Sequence, residues 1–155
     1  MSTAWNLALG AWCFDNYPPL EGFQMERTNF ENLQIYKLSE KLSDHVWKIV
    51  VRWDVLARDT VGKQLVRAGD SIGANIAEGS GRGTDPEIRR FLRMARGSLY
   101  ETQHWLRRAY RRRLLSEKQV NDLLPLVKEL TPKLNAYLRS IGSLEKRRRS
   151  LARSN

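Results

Sequence analysis

The chain has 155 residues, a length typical of one domain that buries a hydrophobic core without disulfides or metals. It carries 27 Lys and Arg against 17 Asp and Glu, a net charge of +10 that favours nucleic acid or another polyanionic surface as partner. A basic protein without such a partner is the alternative that charge leaves open. The single cysteine, Cys13, excludes an intramolecular disulfide and is consistent with a cytoplasmic location. No apolar run approaches the roughly 20 residues that cross a bilayer.

Residues 1–28 are predicted to be a weakly ordered N-terminal extension. No Lys or Arg occurs up to Gln24, which excludes the basic start of a secretory signal. Trp5 and Trp12 fall in a stretch without sustained periodicity, and Met25 follows shortly before the first helical pattern. An upstream start codon is therefore one explanation for residues 1–24.

The first two predicted helices cover residues 31–58 and 61–78. Apolar residues recur at steps of three and four in the first helix, and Asp59-Thr60 breaks the pattern. The second helix contains Gly69 and Gly73, and glycine costs about 1 kcal/mol relative to Ala inside a helix. Close approach of another backbone is the expected compensation. Gly79 is predicted to end this helix, since a C′ glycine tolerates positive φ.

The third and fourth helices have clear start signals. Thr84-Asp85-Pro86-Glu87 opens the third, which carries apolar residues at heptad spacing and continues to about Arg113. Ser116-Glu117-Lys118-Gln119 is a capping box for the fourth, which is predicted to be kinked near Pro125 and Pro132. The basic tail, residues 145–155, is predicted to be frayed. The expected fold is all-α: an antiparallel up-down-up-down four-helix bundle over residues 29–144.

A set of polar residues on the second and third helices is predicted to form a structural network. Ser71, Asn75 and Glu78 follow an i, i+4, i+7 spacing and share one face. No nucleophile–base pair is evident, because His45 and His104 lie elsewhere, so packing is favoured over catalysis. The predicted members are Arg67, Ser71, Asn75, Glu78, Ser98 and Glu101. Isolated histidines and one cysteine also predict no metal site and no cofactor.

Arginines dominate the third helix and its flanks. Several follow a core position directly and form a stripe with Tyr100 and Gln103, and Glu101 is the only acid between Glu87 and Glu117. Arginine presents planar, forked donors that suit phosphate, so we expect largely sequence-independent nucleic-acid contact. A protein–protein seam with arginines paired across protomers is the alternative. The predicted nucleic-acid-binding residues are Arg82, Arg89, Arg90, Arg93, Arg96, Arg107, Arg108, Arg111, Arg112 and Arg113.

Three segments carry a resemblance to a known family. The run from Ala68 to Arg82, the run from Phe91 to Glu101 and, more weakly, Phe30-Glu31-Asn32-Leu33 followed by Leu38 resemble the motifs of a bacterial four-helix-bundle family, first noted as proteins encoded by intervening sequences in large-subunit ribosomal RNA genes. The resemblance covers roughly residues 29–142. It implies a homopentamer with a basic surface. The same family includes the accessory variability determinant of diversity-generating retroelements, which associates with a reverse transcriptase and its template RNA.

The combined prediction is a non-enzymatic, oligomeric protein that associates with RNA or DNA. An accessory role beside a reverse transcriptase is what the resemblance adds. The runner-up is a protein-interaction scaffold of the same family with no direct nucleic-acid role.

Overall fold

The computed structural model describes residues 29–153; the predicted extension, residues 1–28, and residues 154–155 lie outside the described part. Four long helices follow a 3-10 turn at Asn29–Asn32: α1 Gln34–Val50, α2 Lys63–Ser80, α3 Asp85–Arg111 and α4 Glu117–Arg153. Each packs on its neighbour in the sequence, and α4 returns to α1, so α1 and α3 lie diagonally opposite. The predicted all-α four-helix bundle is confirmed.

The core is built from aliphatic side chains that all four helices contribute at helical spacing. Within residues 29–153, no helix combines the length and apolarity that crossing a membrane requires. The largest fully buried apolar side chains are Leu42, Val46, Val61, Leu65, Ile72, Ile76, Leu92, Leu99, Leu130 and Leu134.

The predicted boundary between the first two helices is wrong. Helix α1 ends at Val50, several residues before Asp59-Thr60. The Asp54 side chain accepts a hydrogen bond from the Ala57 amide (3.0 Å), and this cap starts the short helix Val55–Ala57. A π-helical turn, Arg58–Gly62, then leads into α2 without a break. Asp59 and Thr60 lie inside that turn. They do not break the helix, because a π-helical turn accommodates an extra residue while the chain stays helical.

The small residues of α2 allow close contact with both neighbouring helices. A Cβ atom at Gly73 would lie 3.2 Å from Ser39 Oγ of α1, and one at Gly69 would lie 3.8 Å from Ser43 Cα. The expected close approach of another backbone is therefore present. Gly79 is not a left-handed C′ residue: α2 continues to Ser80, and Gly79 packs on α3, where a Cβ would meet Phe91 Cβ at 3.0 Å.

The two predicted start signals differ in their hydrogen bonds. Ser116 and Gln119 form a reciprocal capping box: the Ser116 amide donates to Gln119 Oε1 (2.8 Å) and the Gln119 amide to Ser116 Oγ (3.2 Å). At the start of α3 the Thr84 hydroxyl instead donates to the Glu87 carboxylate (2.6 Å). Thr84 is the N-cap residue by backbone conformation, and its side chain makes no cap hydrogen bond to the backbone.

Helix α4 is longer than predicted. It runs through Pro125 and Pro132, both exposed, and continues to Arg153 instead of fraying after Leu144. Two ion pairs join this extension to α3: Arg89 Nη1 lies 3.3 Å from Glu145 Oε2, and Arg148 Nη1 lies 2.8 Å from Asp85 Oδ2. The sequence-based expectation missed these pairs because their members are more than fifty residues apart.

Candidate nucleic-acid interface

The side chains of Asn75, Ser71 and Ser98 form a continuous hydrogen-bonded chain between α2 and α3. Asn75 Nδ2 donates to the Ser71 carbonyl (2.7 Å) and to Ser71 Oγ (3.0 Å). Ser71 Oγ lies 2.9 Å from Ser98 Oγ, which in turn donates to the Met94 carbonyl (3.1 Å). Each hydroxyl therefore has a donor and an acceptor partner. This arrangement fixes the register of α2 against α3.

The other three residues of the predicted network lie outside this chain. Glu78 is exposed and pairs with Arg82, four residues on and just beyond the end of α2. Glu101 accepts a hydrogen bond from Trp105 Nε1 (3.3 Å). Arg67 is exposed and makes no ion pair with another described residue. The predicted network is corrected accordingly: these three charged side chains are exposed and stay at the surface, where water solvates them, instead of entering the interface between the helices.

The histidines occupy separate surfaces. His45 Nδ1 lies 2.8 Å from the Lys41 carbonyl on α1, and the His104 ring lies edge-on to Trp105, with the ring centres 5.1 Å apart. No group of three or more potential metal ligands occurs in the described part of the chain.

A cleft of about 300 Å³ between α1 and α2 carries acidic groups that the sequence interpretation did not single out. Glu40 and Asp70 line it, and the Ser43 hydroxyl donates to Asp70. Burial, with the charge and hydrogen bond of Glu40, raises the pKa of Tyr36 to about 12. Carboxylates repel phosphate, so this face is unsuited to nucleic acid.

Two of the ten predicted nucleic-acid-binding arginines are held by internal contacts. The Arg82 guanidinium pairs with Glu78 and lies 4.9 Å from the centre of the Phe91 ring. Arg89 pairs with Glu145 and packs against α4 where Gly142 leaves room for its guanidinium. These contacts hold both side chains against the bundle and leave the other eight to present a basic surface.

The other eight arginines form no ion pair with any residue of 29–153. Arg90 makes a distant contact with the Phe91 ring, 6.0 Å from its centre. Apart from Arg96 and Arg108, which are half-buried, these arginines are exposed. The eight are Arg90, Arg93, Arg96, Arg107, Arg108, Arg111, Arg112 and Arg113.

Four of these arginines lie along one flank of α3. Helical spacing places Arg93, Arg96, Arg107 and Arg111 on the same side as Gln103, whose side chain donates to Thr131 Oγ1 of α4 (3.2 Å). The flank therefore borders α4. At 1.5 Å per residue the row from Arg93 to Arg111 is about 27 Å long. We call these four residues the arginine row.

An apolar groove adjoins the C-terminal half of this row. It has a volume of about 630 Å³ and lies between the end of α3 and the start of α4. Tyr110 and Leu124, which are 58% and 44% exposed, stand in its walls. Arg107 and Arg111 from α3 and Lys128 from α4 border it. The sequence did not predict the groove; the available signal was Leu124, an apolar residue that follows Leu123 directly and therefore cannot share its buried face of α4.

The fold and the unpaired arginines define a basic, all-α four-helix-bundle protein. The family described as 23S rRNA-intervening sequence protein matches residues 31–136, and the chain belongs to this family. No curated protein matches it significantly. A crystal structure of a protein of unknown function from the S23 ribosomal protein family of Bacteroides thetaiotaomicron is similar, with a TM-score of 0.60 and 22% identity. The match covers 67% of this chain and 97% of that one, and it shows a shared fold.

Proposed function

We propose that this chain is a non-enzymatic, oligomeric four-helix bundle that binds RNA or DNA through the arginine row and the neighbouring arginines. The observation that carries the proposal is that eight arginines on and after α3 lack a carboxylate partner among the described residues. Surface arginines usually pair with nearby acids, and phosphate is the other ligand that fits their forked donors. The family name refers to 23S rRNA, which makes RNA the first polyanion to test.

The distribution of charge also favours the side of the molecule that carries the arginine row as the binding surface. The acidic cleft lies between α1 and α2, whereas the arginine row lies on the helix diagonally opposite α1, beside α4. A concentration of positive charge along α3 attracts a polyanion as it approaches and increases the rate of association.

The test is RNA and DNA binding across a salt series. Wild-type affinity is expected to fall steeply with salt. The double variant Arg93→Gln with Arg96→Gln is expected to have a shallower slope of log K against log salt, by about 0.7–0.9 for each phosphate that the variant no longer neutralises. Lys41→Gln with Lys48→Gln removes the same charge from exposed positions on α1 and is expected to leave the slope unchanged. Absence of binding even at low salt would contradict the proposal.

The absence of catalysis is part of the proposal. The Ser71–Asn75–Ser98 chain contains hydroxyl and amide groups, and neither histidine contacts it. A hydroxyl without an adjacent base is a weak nucleophile. Turnover of any substrate that is abolished in Glu101→Gln, with the fold retained, would overturn this part.

Assembly and a reverse transcriptase partner are proposed from the family resemblance. Trp47, Val55 and Leu56 are 54%, 64% and 75% exposed and supply apolar surface for contacts between subunits. Sedimentation equilibrium is expected to give about 90 kDa for five copies of the 18.0 kDa chain, and a stable monomer would contradict the assembly. Association with a reverse transcriptase is testable by co-purification with one encoded beside this gene.

A further inference from the structure

We infer that the arginine row and the apolar groove together take single-stranded nucleic acid, with unstacked bases in the groove between α3 and α4. The inference rests on the proposed function and names the form of polyanion that the surface accepts. Phosphate contacts alone do not distinguish a duplex from a single strand, whereas an apolar groove beside those contacts does.

The walls of the groove suit the face of a nucleobase. Leu106, Leu123 and Val127 supply aliphatic surface, and the Tyr110 ring stands more than half exposed at the side. The volume, about 630 Å³, lies within the roughly 300–1,000 Å³ of sites that enclose small organic ligands. In a duplex the base faces are stacked on one another and cannot enter such a groove.

The borders of the groove suit the backbone of the strand. Arg107 and Arg111 line the α3 side, Lys128 lines the α4 side, and no Asp or Glu lines the groove in the described structure. Cations on both borders hold phosphates on either side of an inserted base. Arginine guanidinium planes also stack on bases, which adds to the contact with Tyr110.

The arginine row continues the same pattern beyond the groove. Tyr100, 50% exposed, lies between Arg96 and Arg107 and about 15 Å along the helix from Tyr110. Aromatic rings interleaved with cations are typical of surfaces that bind single strands with little sequence preference. An acidic amphipathic helix would need apolar contacts along its whole length, and the apolar walls extend only along the C-terminal part of α3.

The experiment compares three RNA probes of about ten nucleotides, which is longer than the row of about 27 Å even at a rise of 3.4 Å per nucleotide. They are an oligouridine, a duplex, and an abasic strand that keeps the sugar–phosphate backbone. Fluorescence anisotropy at matched salt is expected to show that the protein binds the oligouridine about 5- to 100-fold more tightly than the abasic strand, which is the range that stacking of one base gives. The oligouridine is also expected to bind more tightly than the duplex.

Variants of the exposed tyrosine locate the stacked base. Tyr110→Ala is expected to lose most of the preference for oligouridine over the abasic strand, and Tyr110→Phe to retain it, since the ring does the stacking. Leu144→Ala removes an exposed apolar side chain of α4 that lies outside the groove and is expected to leave the preference unchanged. Circular dichroism checks that each variant is folded.

The outcomes separate this inference from the proposed function. Failure of the wild type to bind any probe at low salt overturns both. Equal, salt-dependent binding of all three probes overturns the inference and leaves the proposed function standing. A Tyr110→Ala variant with unchanged preference, or a groove that binds an acidic peptide while strand and duplex bind alike, also overturns the inference.

Discussion

Asn75 holds Ser71, the residue of α2 whose hydroxyl hydrogen-bonds across to Ser98 of α3. It is 9% exposed and donates both to the Ser71 carbonyl and to Ser71 Oγ. Buried polar groups stabilise a fold only when their partners are present, so the chain from Asn75 to the Met94 carbonyl acts as a unit.

Asn75→Ala is expected to lower the free energy of unfolding by about 1–2 kcal/mol, because it removes two hydrogen bonds from a buried site. Urea denaturation measures the change. Asn121→Ala makes the same replacement at an exposed position of α4 and is expected to change stability by less than about 0.5 kcal/mol. Equal effects of the two substitutions would show that the hydrogen-bonded chain contributes nothing specific.

Tyr36 gives the bundle a pH dependence in the alkaline range. Its pKa is raised to about 12 by burial and by Glu40, above the value of 10.0 that it has when unfolded. The native state therefore holds the phenolic proton more tightly, and this contribution is complete below pH 10 and is lost as pH rises towards 12. Tyr36→Phe is expected to lose less stability between about pH 9 and pH 11 than the wild type. An equal loss of unfolding free energy in the wild type and in Tyr36→Phe between these two pH values would contradict this.

Among the helices, replacing a glycine by a residue with a Cβ is expected to have opposite effects on stability in α2 and α3. Gly79 lies where a Cβ would be 3.0 Å from Phe91 Cβ and 3.5 Å from the Ile88 carbonyl. Those atoms are fixed by the backbone of α3, so only a shift of the whole helix makes room. At Gly97, on the exposed side of α3, a Cβ would have no described atom within 4 Å apart from its chain neighbours and the adjacent backbone of its own helix.

Gly79→Ala is therefore expected to destabilise the bundle by about 1–2 kcal/mol through overpacking. Gly97→Ala is expected to stabilise it by about 0.5–1 kcal/mol, since alanine favours the helix and meets no obstacle. Thermal unfolding of the two variants decides between these signs. A stabilised Gly79→Ala variant would mean that α2 and α3 are less closely packed than their contact distances indicate.

The end of α4 depends on carboxylates that contact arginines on two helices. Glu145, with a side chain 11% exposed, pairs with Arg89 on α3 and with Arg149 on its own helix. The Nε of Arg89 is buried and has no hydrogen-bond partner among the described residues, so removal of the Glu145 carboxylate leaves that guanidinium poorly compensated.

Glu145→Gln is expected to cost about 1–2 kcal/mol and to speed hydrogen exchange of the backbone amides from 146 to 153. Glu129→Gln breaks an exposed pair with Lys133 on the same helix and is expected to cost less than about 0.5 kcal/mol, without a change in exchange at the C-terminus. Unchanged exchange in Glu145→Gln would assign the order of this segment to its helix propensity.

At the scale of the whole molecule, the charge is both large and uneven. The net charge is +10, and the unpaired arginines concentrate on α3 and the turn that follows it. Like charges crowded on a folded surface repel one another and destabilise the compact state, and added salt screens that repulsion.

The melting temperature is therefore expected to rise with KCl concentration over the range in which the Debye length shrinks below about 10 Å. Replacement of Arg111, Arg112 and Arg113 by Gln is expected to raise the melting temperature at low salt and to flatten its dependence on salt. A melting temperature that falls with KCl would indicate that the ion pairs of α4 outweigh the repulsion among the arginines.

The helical character, the core positions of α3 and the reciprocal cap formed by Ser116 and Gln119 could all be predicted from the sequence alone. These features depend on periodicity and on contacts within a few residues. The sequence also marked Gly69 and Gly73 as points of close approach, because glycine in a helix needs a compensating contact.

The start of α2, the length of α4, the pairing of the arginines and the apolar groove depend on how the helices pack, and the sequence did not predict them. The Arg89–Glu145 and Asp85–Arg148 pairs join residues far apart in the chain, and no local pattern specifies such partners. The groove likewise needs residues of both α3 and α4 to form its walls. Periodicity determines which residues face inward on each helix, whereas the packing of helices on one another determines which exposed residues become neighbours.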